Sequence, residues 1–100
     1  PDWSGYSTLA VDLTNPTPLP LRLVLRVHDA THNNQPSDRF SRRIELPPRT
    51  RAVIRIPLQD IAAGPRTRVL DLRNVAEMII FRTDDSPRAN ELYLSRAWLE

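Results

Sequence analysis

The stretch that decides the fold is LPLRLVLRVH, residues 19–28. Apolar side chains occupy every second position from Leu19 to Val27, and Arg22, Arg26 and His28 lie at the alternate positions. A repeat of two residues is typical of a β-strand with one buried face. The sequence therefore predicts a strand whose leucine face lies in a core and whose arginine face meets water or a ligand.

The same alternation recurs in shorter runs that proline-rich turns separate. The predicted strands are residues 9–13, 19–27, 40–46, 52–56 and 91–100, with a short strand or edge at 69–72. Residues 77–83 are more continuously apolar, which predicts a central strand covered on both sides. Residues 58–64 fit one helical turn that ends at Gly64. About seven short strands without a long helix predict an all-β fold, a jelly-roll-like antiparallel β-sandwich.

Size and composition restrict the class of protein. One hundred residues form a single domain, 1–100, which excludes a multidomain enzyme. The absence of cysteine excludes disulfides, thiolate nucleophiles and zinc–thiolate sites. All fourteen positively charged residues are arginines, yet the net charge is only +2, which is weak support for nucleic-acid binding. No apolar run reaches the roughly 18 residues that a membrane-spanning helix needs.

Catalysis requires a nucleophile with a positioned base, or two carboxylates across a cleft. The sequence has no GxSxG, P-loop or GxGxxG pattern, and only two glycines are available for tight catalytic turns. We therefore predict that the protein is not an enzyme.

The densest group of polar residues lies at the end of the 19–27 strand and in the loop that follows. Its members are His28, Asp29, His32, Asn33, Asn34, Asp38 and Arg39. These residue types suit recognition of sugar hydroxyls, so one interpretation is a carbohydrate subsite. The other, which we favour, is a turn-rich loop whose side chains cap their own backbone. Some members are also usual metal ligands, but no spacing fixes a coordination geometry and no metal site is predicted.

Arginines recur at the outward positions of consecutive predicted strands. They are Arg22, Arg26, Arg39, Arg43, Arg51 and Arg55. Side by side they would form one basic face that favours an acidic polysaccharide, a phosphate-bearing glycan or an acidic protein. The alternative, which we favour, is that they pair with carboxylates such as Glu45 or Asp12 on a solvated face.

The few aromatic residues are the candidate platforms for a sugar, because a sugar ring presents an apolar C–H face. Phe40 and Phe81 lie in apolar strand patterns and are predicted core residues, and Trp98 is predicted to be at least half buried. Trp3 and Tyr6 precede the first strand. They either close the open end of the sandwich, which we favour, or flank a binding rim.

Seven segments, in this order, match one family pattern. They are DWSGY (2–6), LAVDLTNP (9–16), LRLVLRVHD (21–29), HNNQPSDRF (32–40), IELPPRTRAVIRIPL (44–58), RVLDLRNVAEMIIF (68–81) and LYLSRAWLE (92–100). The pattern resembles the galactose-binding-like jelly-roll modules found as carbohydrate-binding domains in polysaccharide-degrading enzymes. It is similar in particular to the accessory module of some bacterial VanZ-like membrane proteins. The likeness covers nearly the whole chain, mostly at core and turn positions, which specify fold better than ligand.

The resemblance implies a non-catalytic module that binds a polysaccharide or oligosaccharide through polar groups and a stacked aromatic ring. It also implies an accessory role in a bacterial envelope protein, an extracytoplasmic location, and attachment to the membrane only through the parent protein. The alternative function is a protein-interaction or structural module whose arginine-rich face meets an acidic partner.

Two departures from the family pattern change what is expected of this chain. Family members usually have another strand before the tryptophan segment, so the module is expected to lack an N-terminal strand. Many members also place a calcium-binding aspartate in the last strand, where this chain has Ser95. A hydroxyl is a poorer calcium ligand than a carboxylate, so we expect no cofactor.

Overall fold

The computed structural model describes residues 2–31, 35–83 and 93–100. Within these ranges the strands are β1 (Thr8–Asn15), β2 (Leu21–Asp29), β3 (Phe40–Leu46), β4 (Thr50–Pro57), β5 (Val75–Arg82) and β6 (Tyr93–Leu99). The one α-helix of the described ranges, α1 (Leu58–Ala62), follows β4 directly, as the sequence predicts. Single turns of 3-10 helix, Pro36–Asp38 and Leu72–Asn74, lie before β3 and β5. No helix in this part of the chain is both long enough and apolar enough to span a membrane.

The strands form two antiparallel sheets of three strands each. Sheet 1 has the order β4-β1-β6, and sheet 2 has the order β3-β2-β5. Only β2 and β3 are consecutive strands that pair within one sheet, because the β1–β2 and β3–β4 turns carry the chain from one sheet to the other. The predicted all-β antiparallel sandwich is confirmed at this level.

The core lies between the two sheets and follows the alternation of the sequence. On β2 the buried positions are Leu21, Leu23, Leu25 and Val27. The same cluster contains Leu9, Val11 and Leu13 of β1, Phe40, Ile44 and Leu46 of β3, Ile56 of β4, and Leu58 and Ile61 of α1. Burial of the apolar faces of both sheets stabilises the sandwich, and the alternate positions are left on its two outer faces.

A buried amide fixes the crossing from β1 to β2. The Nδ2 of Asn15 donates to the carbonyl oxygens of Leu19 (2.8 Å), Leu46 (3.2 Å) and Pro47 (3.0 Å). Its Oδ1 accepts from the backbone N–H and the hydroxyl of Thr17, at 3.0 and 2.8 Å. Because both polar atoms of the amide are bonded, its burial is compensated, and one side chain joins the β1–β2 turn to the β3–β4 turn.

The position of β5 corrects a prediction. The sequence predicts a central strand, but among the described strands β5 pairs with β2 alone and lies at the edge of sheet 2. Its outward residues Ile79 and Phe81 are half-buried, and the guanidinium of Arg26 on β2 lies 4.8 Å from the centre of the Phe81 ring. Among the described residues, an arginine therefore covers Phe81 on the outer side of this apolar run, and Phe81 is not a core residue.

Two further predictions are wrong in detail. Leu19 is 55% exposed because it lies in the β1–β2 turn, before β2 begins. Residues 69–72 do not form a strand. Their backbone N–H groups bond elsewhere, that of Leu70 to the Ala62 carbonyl at 2.9 Å and that of Asp71 to a carboxylate at 2.8 Å.

Candidate functional site

An ion-pair cluster around Arg68 contains two members of the predicted carbohydrate subsite, Asp29 and Asp38. The guanidinium donates to both oxygens of Asp29, at 2.5 and 2.8 Å, and to both oxygens of Asp38, at 2.8 and 3.0 Å. Asp29 also accepts from the backbone N–H of Asp71 at 2.8 Å and from the Thr31 hydroxyl at 3.2 Å. The side chain of Asp29 is fully buried, and that of Asp38 is nearly so.

These contacts give the two carboxylates a structural role. The hydrogen bonds from Arg68 hold the pKa of Asp29 well below its ordinary value, and the two carboxylates raise the pKa of Arg68. The cluster joins the end of β2, the 3-10 turn Pro36–Asp38 and the segment that leads to β5. Because the oxygens of Asp29 are taken up by protein donors, the geometry favours the structural interpretation for this residue and for Asp38.

Two other members of the predicted subsite, His28 and Arg39, make none of the hydrogen bonds that join Arg68 to Asp29 and Asp38. Successive residues of a strand point to opposite faces, so His28 lies on the outer face of sheet 2 while Asp29 points into the molecule. The Nε2 of His28 is 3.5 Å from the carboxylate of Glu77 on β5. Arg39 is half-buried and directly precedes β3. His32, Asn33 and Asn34 lie outside the described residues, and their part in a subsite stays a prediction.

The six outward arginines do not form one basic face, and this expectation is corrected. Arg51 and Arg55 belong to β4 of sheet 1, whereas the remaining four belong to sheet 2 or to the residue before it. The turn at residues 47–48 carries the chain across the sandwich, so the two groups lie on opposite sides of the molecule. We call the four on sheet 2 the arginine face: Arg22, Arg26, Arg39 and Arg43.

On sheet 1 the two arginines of β4 pair with carboxylates of the protein itself. The two-point pairs are Arg51 with Asp12, at 3.0 and 2.6 Å, and Arg55 with Glu100, at 3.1 and 3.5 Å. These hydrogen bonds lower the pKa of both carboxyl groups. For this pair of arginines the solvated, ion-paired interpretation is confirmed.

The arginine face differs in this respect. In the part of the chain that the structure describes, none of its four arginines lies within ion-pairing distance of a carboxylate. An open groove of about 690 Å³ lies on this face, and its lining includes Arg22, Arg43, Glu45 and Thr83. Among the described residues, no carboxylate therefore neutralises the positive charge of this face through an ion pair.

Trp3 and Tyr6 have different environments at one end of the sandwich. Trp3 is half-buried against the core, and its backbone N–H donates to the Leu72 carbonyl at 2.7 Å. Trp3 therefore closes this end of the sandwich, as the sequence analysis favoured. Tyr6, by contrast, is 53% exposed and lines a second open groove, of about 530 Å³. We call this the Tyr6 groove, and its other lining residues are Ser7, Thr8, Pro57, Leu58, Gln59 and Leu72.

The backbone on both sides of Tyr6 is fixed. Gly5 has a φ of 88°, in the left-handed region that glycine adopts without strain. The N–H of Ser7 donates to the Glu100 carbonyl at 2.7 Å, and the Ser7 carbonyl accepts from the N–H of Leu58 at 2.8 Å. These bonds hold the backbone that follows Tyr6 between the last strand and α1.

The calcium site implied by the resemblance does not fit the described residues. Ser95 is exposed on β6, where the register between β6 and β1 shifts. Across residues 2–31, 35–83 and 93–100, no three His, Asp or Glu side chains come together as a metal site. A single hydroxyl is a poor ligand for a hard cation.

Sequence reasoning did not single out Arg68, Gln59 or Leu72. A signal for Arg68 was present, because Asp29 continues the buried positions of β2 and a buried carboxylate needs a cation or several donors. Which arginine supplies that cation depends on a contact across 39 residues of sequence. The walls of the Tyr6 groove come from three separate segments, which alternation alone does not bring together.

Two surfaces, the Tyr6 groove and the arginine face, are therefore the candidate binding sites. They lie on different parts of the molecule and differ in chemistry, since one is uncharged and the other is basic. The chain matches no protein-family model, no curated protein and no solved structure.

Proposed function

We propose that this chain is a non-catalytic carbohydrate-binding module with a galactose-binding-like jelly-roll fold, and that it binds a glycan in the Tyr6 groove. The observation that carries the proposal is the 53% exposure of Tyr6 in an open groove with uncharged polar neighbours. In keeping with the family resemblance, the module serves as an accessory to a larger bacterial envelope protein on the extracytoplasmic side of the membrane.

The lining of the groove suits a neutral sugar. The phenol ring of Tyr6 offers an apolar surface to the C–H face of a sugar ring. Ser7, Thr8 and Gln59 supply hydroxyl and amide groups, which donate to and accept from sugar hydroxyls. All seven lining residues are uncharged. Binding in this groove should therefore persist at physiological salt, where contacts between exposed charges are screened.

The place of the groove also supports the proposal. Leu72, one of its walls, directly follows Asp71, whose N–H donates to Asp29 at the end of β2. The exposed aromatic ring thus lies at the same end of the sandwich as the loop after β2, as expected of a sugar site there. An open site leaves much of the ligand in water, so we expect weak affinity for a single sugar and tighter binding of polymers.

The proposal is tested with the Tyr6→Ala variant in affinity gel electrophoresis against neutral polysaccharides at physiological salt. Loss of the ring should weaken binding roughly tenfold, because stacking of an aromatic ring contributes on the order of 1 kcal/mol beyond its buried area. Tyr6→Phe, which keeps the ring, should retain most of the binding.

Leu19→Ala provides the matched control, since Leu19 is as exposed as Tyr6 (55% against 53%) but lies in the β1–β2 turn. This variant should bind like the unaltered protein. If no neutral polysaccharide is retained, or if Tyr6→Ala binds as well as the unaltered protein, the Tyr6 groove is not a glycan site.

A further inference from the structure

The arginines named here on the two outer faces of the sandwich differ in whether they form ion pairs with carboxylates of the protein. On sheet 1, Arg51 and Arg55 each form a two-point pair with a carboxylate of the same face. On sheet 2, the four arginines of the arginine face form no such pair within the described residues. Among the described residues, the two β4 arginines are thus neutralised by carboxylates of the protein, whereas the four arginines of the arginine face are not.

Arg26 and Arg39 lie near each other on this face, and no carboxylate of the described residues forms an ion pair with either of them. The guanidinium of Arg26 is fixed over Phe81, at 4.8 Å from the ring centre. The Nε atoms of Arg26 and Arg39 are buried and have no hydrogen-bond partner in the described part of the chain. Burial, and next the nearby charge of Arg26, lower the pKa of Arg39. Two neighbouring cations with unused donors are stabilised when an anion binds between or beside them.

The groove continues this positive surface along β2 and β3. Arg22 and Arg43 are both exposed and both line it. Glu45 lies opposite Arg22 in the strand register, and Glu77 is engaged by His28 at 3.5 Å. The four arginines therefore outnumber the two glutamates on the outer face of this sheet in the described part of the chain.

The size of the face favours a narrow ligand. Three strands of seven or so residues make a surface of roughly 23 by 14 Å. That is roughly 330 Å², less than half of the about 800 Å² that each partner contributes to a stable protein–protein interface. Phe81 is covered by Arg26 and is not free to stack on a nucleic-acid base. One extended acidic polysaccharide chain fits this footprint better than a folded protein or a nucleic acid.

We propose that the arginine face binds a linear polysaccharide that carries carboxylate groups, with the guanidinium groups of Arg22 and Arg43 contacting successive carboxylates. A guanidinium matches a carboxylate with two parallel hydrogen bonds, which an ammonium group cannot form. This site is separate from the Tyr6 groove and does not depend on the function proposed for that groove.

The experiment compares two double variants of the chain that remove the same amount of charge. Arg22→Gln with Arg43→Gln alters the arginine face, and Arg55→Gln with Arg73→Gln removes two exposed arginines located elsewhere. Binding to polygalacturonate is measured at low and at physiological salt, beside dextran, dextran sulfate and poly-L-glutamate. The exposed side chains chosen are not part of the core, so both proteins should fold.

We expect polygalacturonate to bind, more weakly as salt rises, and the Arg22/Arg43 variant to lose roughly fivefold or more in affinity while the Arg55/Arg73 variant does not. Equal losses in the two variants would mean unspecific charge attraction and would overturn the proposal. So would an absence of binding to polygalacturonate, or tighter binding of poly-L-glutamate or dextran sulfate. Tyr6→Ala should leave polygalacturonate binding unchanged, which separates this site from the Tyr6 groove.

Discussion

Arg68 donates two hydrogen bonds, of 2.5 and 2.8 Å, to the carboxylate of Asp29, which lies 39 residues earlier in the chain. Asp29 continues the buried face of β2, and its side chain is 0% exposed. Without the guanidinium, this carboxylate would be a desolvated charge at the end of a core strand. The ion pair therefore joins the end of β2 to the segment that precedes β5.

Replacement of Arg68 should destabilise the fold strongly. In Arg68→Ala the charge of Asp29 remains buried, and the described residues leave it the N–H of Asp71 and the Thr31 hydroxyl as donors. The free energy of unfolding, measured with urea, should fall by about 3 kcal/mol or more. Arg68→Lys should recover only part of this loss, because lysine cannot donate to both carboxylates in the planar geometry of the guanidinium.

The matched control is Arg66→Ala, which removes an exposed arginine from the same segment. Its stability should stay within about 0.5 kcal/mol of the unaltered protein. A similar loss in both variants would show that the segment as a whole, and not the contact with Asp29, is sensitive to substitution.

Stability should decrease at acid pH because of the same contact. The pKa of Asp29 is lowered in the folded state, so its contribution is fully present above the unfolded pKa, about 3.9, and is lost as the pH falls through the folded value. The urea midpoint should thus fall progressively below about pH 4. Asp29→Asn should be less stable at neutral pH but should lose less on acidification. Asp2, Asp12 and Glu100, whose pKa values are also lowered, contribute to the remaining slope. An identical acid slope in Asp29→Asn would contradict this account.

Leu19 and Leu23 both lie on the apolar side of the two-residue alternation, yet they should contribute differently to the free energy of unfolding. Leu23 is 1% exposed on β2, whereas Leu19 is 55% exposed in the turn before it. Leu23→Ala should lower the free energy of unfolding by roughly 2 to 5 kcal/mol, and Leu19→Ala by less than about 0.5 kcal/mol. A loss below about 1 kcal/mol for Leu23→Ala would mean that the buried face of β2 is wrongly assigned.

Gly64 should tolerate no side chain, because α1 ends directly against β3. A Cβ atom at this position would lie 2.6 Å from the Cα of Phe40 and 2.7 Å from its Cβ. Backbone atoms cannot move aside as a flexible side chain can, so Gly64→Ala should cost roughly 1 to 3 kcal/mol. Ala63→Ser, at the exposed neighbouring position, serves as the control for thermal unfolding. Equal melting temperatures for the two variants would show that the contact relaxes without cost.

How well the sequence predicts each candidate site depends on how far apart in the chain its residues lie. The exposed arginines of β2 and β3 were found by phase alone, since alternation decides which side chains leave the core. The separation of the β4 arginines from those of β2 and β3 was not predicted. It follows from the assignment of β4 to sheet 1, which depends on pairing with β1 over some 40 residues. For Asp29, the alternation along β2 already indicated a buried position, but its carboxylate suggested a ligand site.

The sequence by itself determined the position of most strands and most of the apolar residues that form the core. Alternating leucines on β2 and proline at the turns specify short strands with one apolar face, a local property that needs no knowledge of the partner strand. Only the tertiary structure decided which strands share a sheet, which arginines find carboxylates and which aromatic ring stays exposed. Those outcomes depend on contacts between distant segments, and alternation along one strand carries no information about its neighbour.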